Sequence, residues 1–215
     1  MVIIFATKEP LLDFNRLIKP FIEELNYSNI KERIMFQILT NGLLLTPEIA
    51  AFCKKYKIKI LMSLDGNEES NNKNRKYFEK GKNVAFQKTI EGANFLSPED
   101  RCFTFTINKN TIGNLRDSLE FLGEYPHNWT RFNFNLYSSF TEEDWFNIWK
   151  IFDDFIQEVP REKSRFLYLY RHPNPSIDEG RGIIMGVDYL GNISIKKPFH
   201  SSIPWTEKNN EQYKN

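Results

Sequence analysis

Short runs of β-branched and aromatic residues alternate along this chain with longer runs whose apolar residues recur every three to four positions. That alternation restricts the fold to successive βα units around a mainly parallel sheet. Val2 to Ala6 reads as the first strand, and after Pro10 the residues Phe14, Leu17, Ile18, Phe21, Ile22 and Leu25 mark one stripe of a helix. Ile34 to Leu39 is the second strand, closed by Thr40-Asn41-Gly42. Thr46-Pro47-Glu48 then supplies an N-cap, a first-turn proline and a first-turn acid. Ile58 to Leu64 is the third strand and ends in Asp65-Gly66; the polar stretch Asn67 to Lys82 that follows reads as a mobile loop. A helix over about 84–96, a strand from Cys102 to Ile107 and a helix face of Ile112, Leu115, Leu119 and Leu122 continue the repeat. Arg131 to Leu136 is a fifth strand, alternating Phe132, Phe134 and Leu136 with Asn133 and Asn135. Thr141-Glu142-Glu143-Asp144 is a capping box for a helix carrying Trp145, Ile148, Trp149, Phe152, Phe155, Ile156 and Val159; the Trp145/Trp149 stripe belongs to the core more naturally than to a peptide groove.

Beyond Pro160 the pattern changes. Arg165 to Tyr170 and Gly182 to Asp188 read as strands, the second joined to Ile193-Ser194-Ile195 by the turn Tyr189-Leu190-Gly191-Asn192. The chain thus divides into an α/β body over 1–160, a small extension over 161–205 and a polar tail over 206–215.

The 215 residues suffice for one sizeable α/β domain with an appendage, and 40% apolar content with 19 Phe gives it ample core material. A formal net charge of +1 removes the strong field that nucleic acid or an anionic membrane would call for. The N-terminus has no basic segment and too short an apolar run for a signal peptide or a membrane span, which implies a cytoplasmic protein. Cys53 and Cys102 are the only cysteines, and His127, His172 and His200 lack metal-site spacing, so no metal site is expected.

Three segments, each at the carboxyl end of an expected strand, resemble the radical SAM superfamily and, within it, the peptide-modifying enzymes with a SPASM-type extension. Ala6-Thr7-Lys8-Glu9-Pro10-Leu11-Leu12-Asp13-Phe14 stands where that family has Gly-Gly-Glu-Pro. Leu39-Thr40-Asn41-Gly42, continued by Leu43 to Ala50, and Met62-Ser63-Leu64-Asp65-Gly66, with Asn74-Arg75 and Gly81-Lys82 downstream, are similar to its next two strand ends. A fainter likeness at 187–193 is to the Asp-x-x-Gly-Asn turn of SPASM extensions. The resemblance implies a partial (β/α) barrel of radical SAM type that lacks the first strand, together with the Cys-x-x-x-Cys-x-x-Cys loop that follows it, and ends in a β-hairpin extension.

It also implies an inactive relative. The chain offers too few thiolates for an iron–sulfur cluster, and where a SPASM cysteine would stand it has Ile195-Lys196-Lys197. Thr7 and Lys8 replace the glycines that let the backbone approach the methionine moiety of S-adenosylmethionine (AdoMet), so no cofactor is expected. The implied role is non-catalytic: binding a precursor peptide or an active radical SAM maturase, with neither nucleic acid nor membrane as partner. A cluster-free enzyme using Glu9 and Asp65 as acid and base, a residual AdoMet- or nucleotide-binding domain at the barrel mouth, and the product of an inactive gene stay open beside it. Glu9, Asn41, Ser63 and Asp65, at strand ends, are the candidate residues of a residual cofactor pocket, with Asn108, Asn133 and Asn135 near them. Glu9 is equally placed to meet a helix dipole, and Asn41-Gly42 and Asp65-Gly66 are turn formers in their own right.

Overall fold

A computed structural model describes residues 2–6, 8–26, 34–135 and 137–160, and the backbone of two strands at 184–187 and 193–196. Thr7, Leu136, the strand expected at Arg165 to Tyr170, the SPASM-like turn over 188–192 and the tail over 206–215 lie outside the described residues.

The body is a five-stranded parallel sheet in the order β1 (Val2–Phe5), β2 (Met35–Thr40), β3 (Lys59–Ser63), β6 (Cys102–Ile107), β7 (Trp129–Phe134). Two residues at Phe78–Glu79 (β4) and two at Lys82–Asn83 (β5) form a separate antiparallel hairpin. The order of the parallel strands never reverses, and crossovers between parallel strands share one hand, so α1 (Lys19–Asn26), α2 (Pro47–Lys55), α4 (Ala85–Ala93) and α5 (Leu115–Glu124) all fall on one face. This is the winding of a barrel wall, not of a doubly wound sheet. The expected α/β class and parallel sheet are therefore found. The hairpin at the far end is found as well, with β8 (Ile184–Val187) antiparallel to β9 (Ile193–Lys196).

Strand register sorts the side chains between the two faces. Phe5, Ile38 and Ile60 align across the sheet, as do Thr40, Met62, Phe103 and Thr130, and these meet the helices. There they join Phe14, Ile18, Leu115, Leu119, Leu122, Ile148 and Phe155 in one buried core. The opposite, concave face carries Val2 and Met35, Leu39 and Leu61, Ser63 and Thr104, Thr106 and Asn133. Leu61 and Cys102 are buried on that side, apart from the helix-facing core.

The polar stretch Asn67 to Lys82 is a correction to the expected loop. It folds as α3 (Glu68–Asn74), capped by the Asn67 side chain accepting from Ser70 N at 3.0 Å, followed by the β4–β5 hairpin. Polar contacts hold it in place of an apolar stripe. Ser70 and Asn71 are fully buried, Ser118 Oγ donates to Ser70 Oγ at 3.1 Å, and Asn83 Nδ2 donates to Arg75 O at 2.9 Å. The first helix also differs. Pro10–Asp13 is a 3-10 turn and Phe14–Ile18 a π turn before α1. The fifth strand begins earlier than expected, at Trp129. The capping box before α6 (Glu142–Glu158) forms as read: Thr141 N donates to Asp144 Oδ2 at 2.7 Å and Asp144 N to Thr141 Oγ1 at 3.2 Å. Trp145 and Trp149 pack on Phe134, ring centroids 4.8 and 5.7 Å away, so the stripe is packing and not a groove. Among the described residues no helix is long and apolar enough to cross a membrane.

Candidate functional site

Parallel strands expose their last carbonyls and following turns at one rim, which is where α/β proteins build sites. Glu9 closes β1 there. Its Oε1 accepts from Thr40 Oγ1 at 2.6 Å and from Leu11 N at 3.1 Å, and its Oε2 accepts from Asn41 N at 2.9 Å. One carboxylate thus caps its own 3-10 turn and fastens the end of β1 to the end of β2, so the dipole reading of Glu9 covers only part of its work. Lys8, just before it, is exposed and sits at φ +54°, the left-handed region that glycine occupies without cost.

Asn41 turns the chain. Its Oδ1 accepts from Leu43 N at 2.9 Å, while its carbonyl accepts from Thr89 Oγ1 at 3.0 Å and so ties the turn to α4. Packing at this junction is tight enough to require a glycine: a Cβ on Gly92 would lie 2.5 Å from the Gly42 carbonyl oxygen.

Asp65 is a buried anion with a full set of donors. Oδ1 accepts from Thr106 N at 2.8 Å and from Arg75 Nη2 at 3.0 Å; Oδ2 accepts from Asn74 Nδ2 at 3.5 Å. Arg75 Nε stands 3.0 Å from Oδ2 as an ionic contact rather than a directed hydrogen bond. Asn71 Oδ1 accepts from Asp65 N at 3.0 Å, and Asn71 Nδ2 has no acceptor among the described residues. The carboxylate therefore joins β3, β6 and α3. Gly66 follows at φ +84°, where a Cβ would come within 2.3 Å of Ser118 Oγ.

Ser63 lies half-buried on the concave face, in register with Thr104. Beside it Asn133 Nδ2 donates to Thr104 Oγ1 at 2.6 Å, and at the rim Asn135 Nδ2 donates to Asn108 Oδ1 at 2.5 Å. These make a neutral polar row of amides and hydroxyls along the β3–β6–β7 side. A cleft of about 270 Å³ opens nearby, lined by Asn41, Leu43, Asn74, Arg75, Lys76, Ala85 and Thr89.

The structure thus brings Glu9 and Asn41 together through a direct hydrogen bond, and places Ser63 and Asp65 two residues apart at the end of β3. Both carboxylates are held by donors, Glu9 by Thr40 and Asp65 by Thr106. Arg75, Thr40 and Asn71 complete the arrangement; Thr40 and Arg75 stand within the motifs that carry the resemblance, whereas Asn71 gave no signal, because its segment shows no periodicity. The thiols stand elsewhere. Burial pushes Cys53, on α2, up to about 12 and Cys102, on β6, up to about 11. No group of three or more His, Cys, Asp or Glu among the described residues is placed to hold a metal ion. The described residues therefore do not form the thiolate set that an iron–sulfur cluster needs, whereas the polar rim and the left-handed turn at Lys8 suit a small polar ligand such as AdoMet.

No protein-family model matches the chain. The radical SAM cyclopropyl synthase TigE of Paramaledivibacter caminithermalis is 27% identical over 198 residues, which is 91% of this chain and 38% of the synthase. Among solved structures, anSMEcpe with bound AdoMet and the Kp18Cys peptide superimposes with a TM-score of 0.60 at 23% identity, covering 73% of this chain and 47% of that one. The same protein with AdoMet and the Cp18Cys peptide gives 0.61 at 22% identity, over 72% and 46%. The chain spans less than half the length of each, is radical-SAM-like in sequence, and has the fold of these structures over the shared part. One expectation is corrected by this. Thr7 and Lys8 in place of glycines imply no cofactor, yet the fold is one solved repeatedly with AdoMet bound. Lys8 keeps the glycine-like backbone and its side chain is exposed, so it does not crowd the turn.

Proposed function

We propose that this chain is the ligand-gripping part of a peptide-modification system: it takes AdoMet and an extended precursor peptide at the carboxyl rim of its sheet and works beside an active radical SAM maturase. The observation that carries the proposal is the rim itself. Glu9 is fully engaged in holding the β1 and β2 turns, so the left-handed backbone at Lys8 is fixed in place, and Ser63, Thr104 and Asn133 present neutral hydrogen-bonding groups on the concave face of β3, β6 and β7. A rigid rim with uncharged donors and acceptors suits a ligand recognised by direction more than by net charge. The likeness to TigE and to a protein solved with AdoMet and peptides together supports the choice of ligands.

AdoMet supplies radical chemistry when an electron source reduces it. In this proposal the maturase contributes that source, while the described residues bind and orient. Isothermal titration of AdoMet into the full chain is expected to give saturable binding at roughly 10–100 μM, about −5.5 to −7 kcal/mol. Ser63→Ala is expected to weaken it several-fold without loss of fold. Purification of the tagged chain from its native host, with mass spectrometry, is expected to recover a precursor peptide or a cysteine-rich maturase. No heat with AdoMet up to about 1 mM, together with recovery of neither partner, ends the proposal.

A further inference from the structure

The five parallel strands carry two charged side chains, Lys59 and Arg131, and both are cations on the concave face. Alternation fixes the side of Arg131. Thr130 is buried against the helices, so its neighbour faces the other way, in register with Thr104, which is itself in register with Ser63. Ser63, Thr104 and Arg131 therefore form one row across three strands. The row below is closed, since Leu61 and Cys102 are 1% and 5% exposed and Trp129 continues it onto β7. A ligand on this face consequently rests at the level of Arg131 and above it, toward the rim.

Arg131 is held in place without being satisfied. Its Cζ lies 5.9 Å from the centroid of the Trp129 ring, an electrostatic contact that gives its N–H groups no acceptor. Among the described residues those groups meet neither a carbonyl nor a carboxylate. The two rim carboxylates are already engaged, Glu9 by Thr40 and Asn41 and Asp65 by Thr106 and Arg75. A planar fork of donors among neutral hydroxyls and amides is matched by a single carboxylate, which takes it in two parallel hydrogen bonds. A phosphate dianion fits less well, because the other strand cation, Lys59, stands four residues before Ser63, about 13 Å along the sheet.

We propose that Arg131 sets peptide specificity: it pairs with an Asp or Glu side chain of the precursor peptide as that peptide lies over the β6 and β7 side of the concave face, beside Thr104 and Asn133. The inference rests on the peptide half of the proposed function. AdoMet also carries a carboxylate, but the left-handed turn at Lys8 follows β1, four strand spacings or about 19 Å along the sheet from β7. The test is a display library of random heptapeptides panned on the immobilised full chain with AdoMet at about 1 mM. Among retained sequences Asp and Glu are expected to be enriched about threefold or more over the input. Arg131→Gln, at an exposed position and with an unchanged circular dichroism spectrum, is expected to abolish that enrichment. Arg131→Lys should keep part of it, and Arg131→Glu should replace it with enrichment of Lys and Arg. Peptides retained without acidic enrichment overturn this inference alone, whereas no retained peptide overturns it together with the peptide reading beneath it. Enrichment that survives Arg131→Gln assigns the preference to other cations and likewise overturns it. So does a loss of AdoMet affinity in Arg131→Gln as large as that in Ser63→Ala, which assigns the guanidinium to AdoMet.

Discussion

Asp65→Asn tests the account of the rim most directly. The native carboxylate is 2% exposed and accepts from Thr106 N and Arg75 Nη2, so it is an anion whose cost of burial is offset by one backbone donor and one guanidinium. The amide keeps the volume and one acceptor but loses the charge and turns an N–H toward Arg75. Breaking a fully buried pair costs about 3–5 kcal/mol. Arg75 keeps 29% of its side-chain surface in water and can be partly rehydrated, which lowers the figure to roughly 2–4 kcal/mol. For a chain of this size that is a fall in Tm of roughly 5–15 °C. Urea and thermal unfolding followed by far-UV circular dichroism measure it. A cycle with Arg75→Met separates the pair from its parts: the double variant Asp65→Asn/Arg75→Met should be less destabilised than the sum of the single ones, because each single variant strands a partner. If Asp65→Asn stays within about 0.5 kcal/mol of the native chain, the carboxylate is not the link between β3, β6 and α3 argued above.

Three further outcomes follow from other parts of the structure. Gly66→Ala is expected to cost roughly 2–4 kcal/mol, from left-handed strain plus collision with Ser118, and Ser118→Gly in the same chain should recover part of the loss in urea unfolding. Burial first, and then the nearby Arg101 charge, lower the His127 pKa against a raising hydrogen bond to the Tyr125 carbonyl; the ring is neutral, its Nδ1–H donating to that carbonyl and its Nε2 accepting from the Thr130 hydroxyl. The unfolded chain therefore binds this proton more readily, so its contribution to stability is complete above about pH 6.5 and is lost as pH falls below that value. A urea midpoint that drops between pH 7.5 and 5.5 in the native chain, by more than in His127→Gln, checks the sign. Cys53 and Cys102, with thiols pushed up to about 12 and about 11, should resist a thiol reagent at pH 8 in the folded chain and both react in denaturant.

Much of the body was legible because apolar periodicity is a direct consequence of burial. Ile38, Ile60 and Phe103 announce strands, and Leu115, Leu119 and Leu122 a helix, for the reason that puts them in the core. The capping box at Thr141 was readable because both halves of it lie within one turn. What escaped was held by polar groups that meet across long separations. Ser70 and Ser118, Asp65 and Thr106, and Glu9 and Thr40 are contacts that only the folded sheet creates. The same limit applied at the rim: Glu9, Asn41, Ser63 and Asp65 were correctly placed at strand ends, but the engagement of Glu9 and Asp65 with donors could not be read from spacing. Lys8 shows the opposite error, since a residue type that suggests crowding says little once the backbone turns its side chain into solvent.

The strictly sequential strand order bears on how the chain emerges from the ribosome. Each strand pairs with one already made, so β1 and β2, then β3, can dock as they appear with no waiting partner downstream. The longest wait is between β3 and β6, whose register joins Leu61 to Cys102 across α3, the β4–β5 hairpin and α4. Loop closure there precedes its contact gain, and the enclosed segment is the one held by buried Ser and Asn side chains instead of an apolar stripe. During synthesis the nascent sheet would therefore pause with Leu61 and Met62 uncovered until β6 arrives, and that interval is where a chaperone would meet this protein.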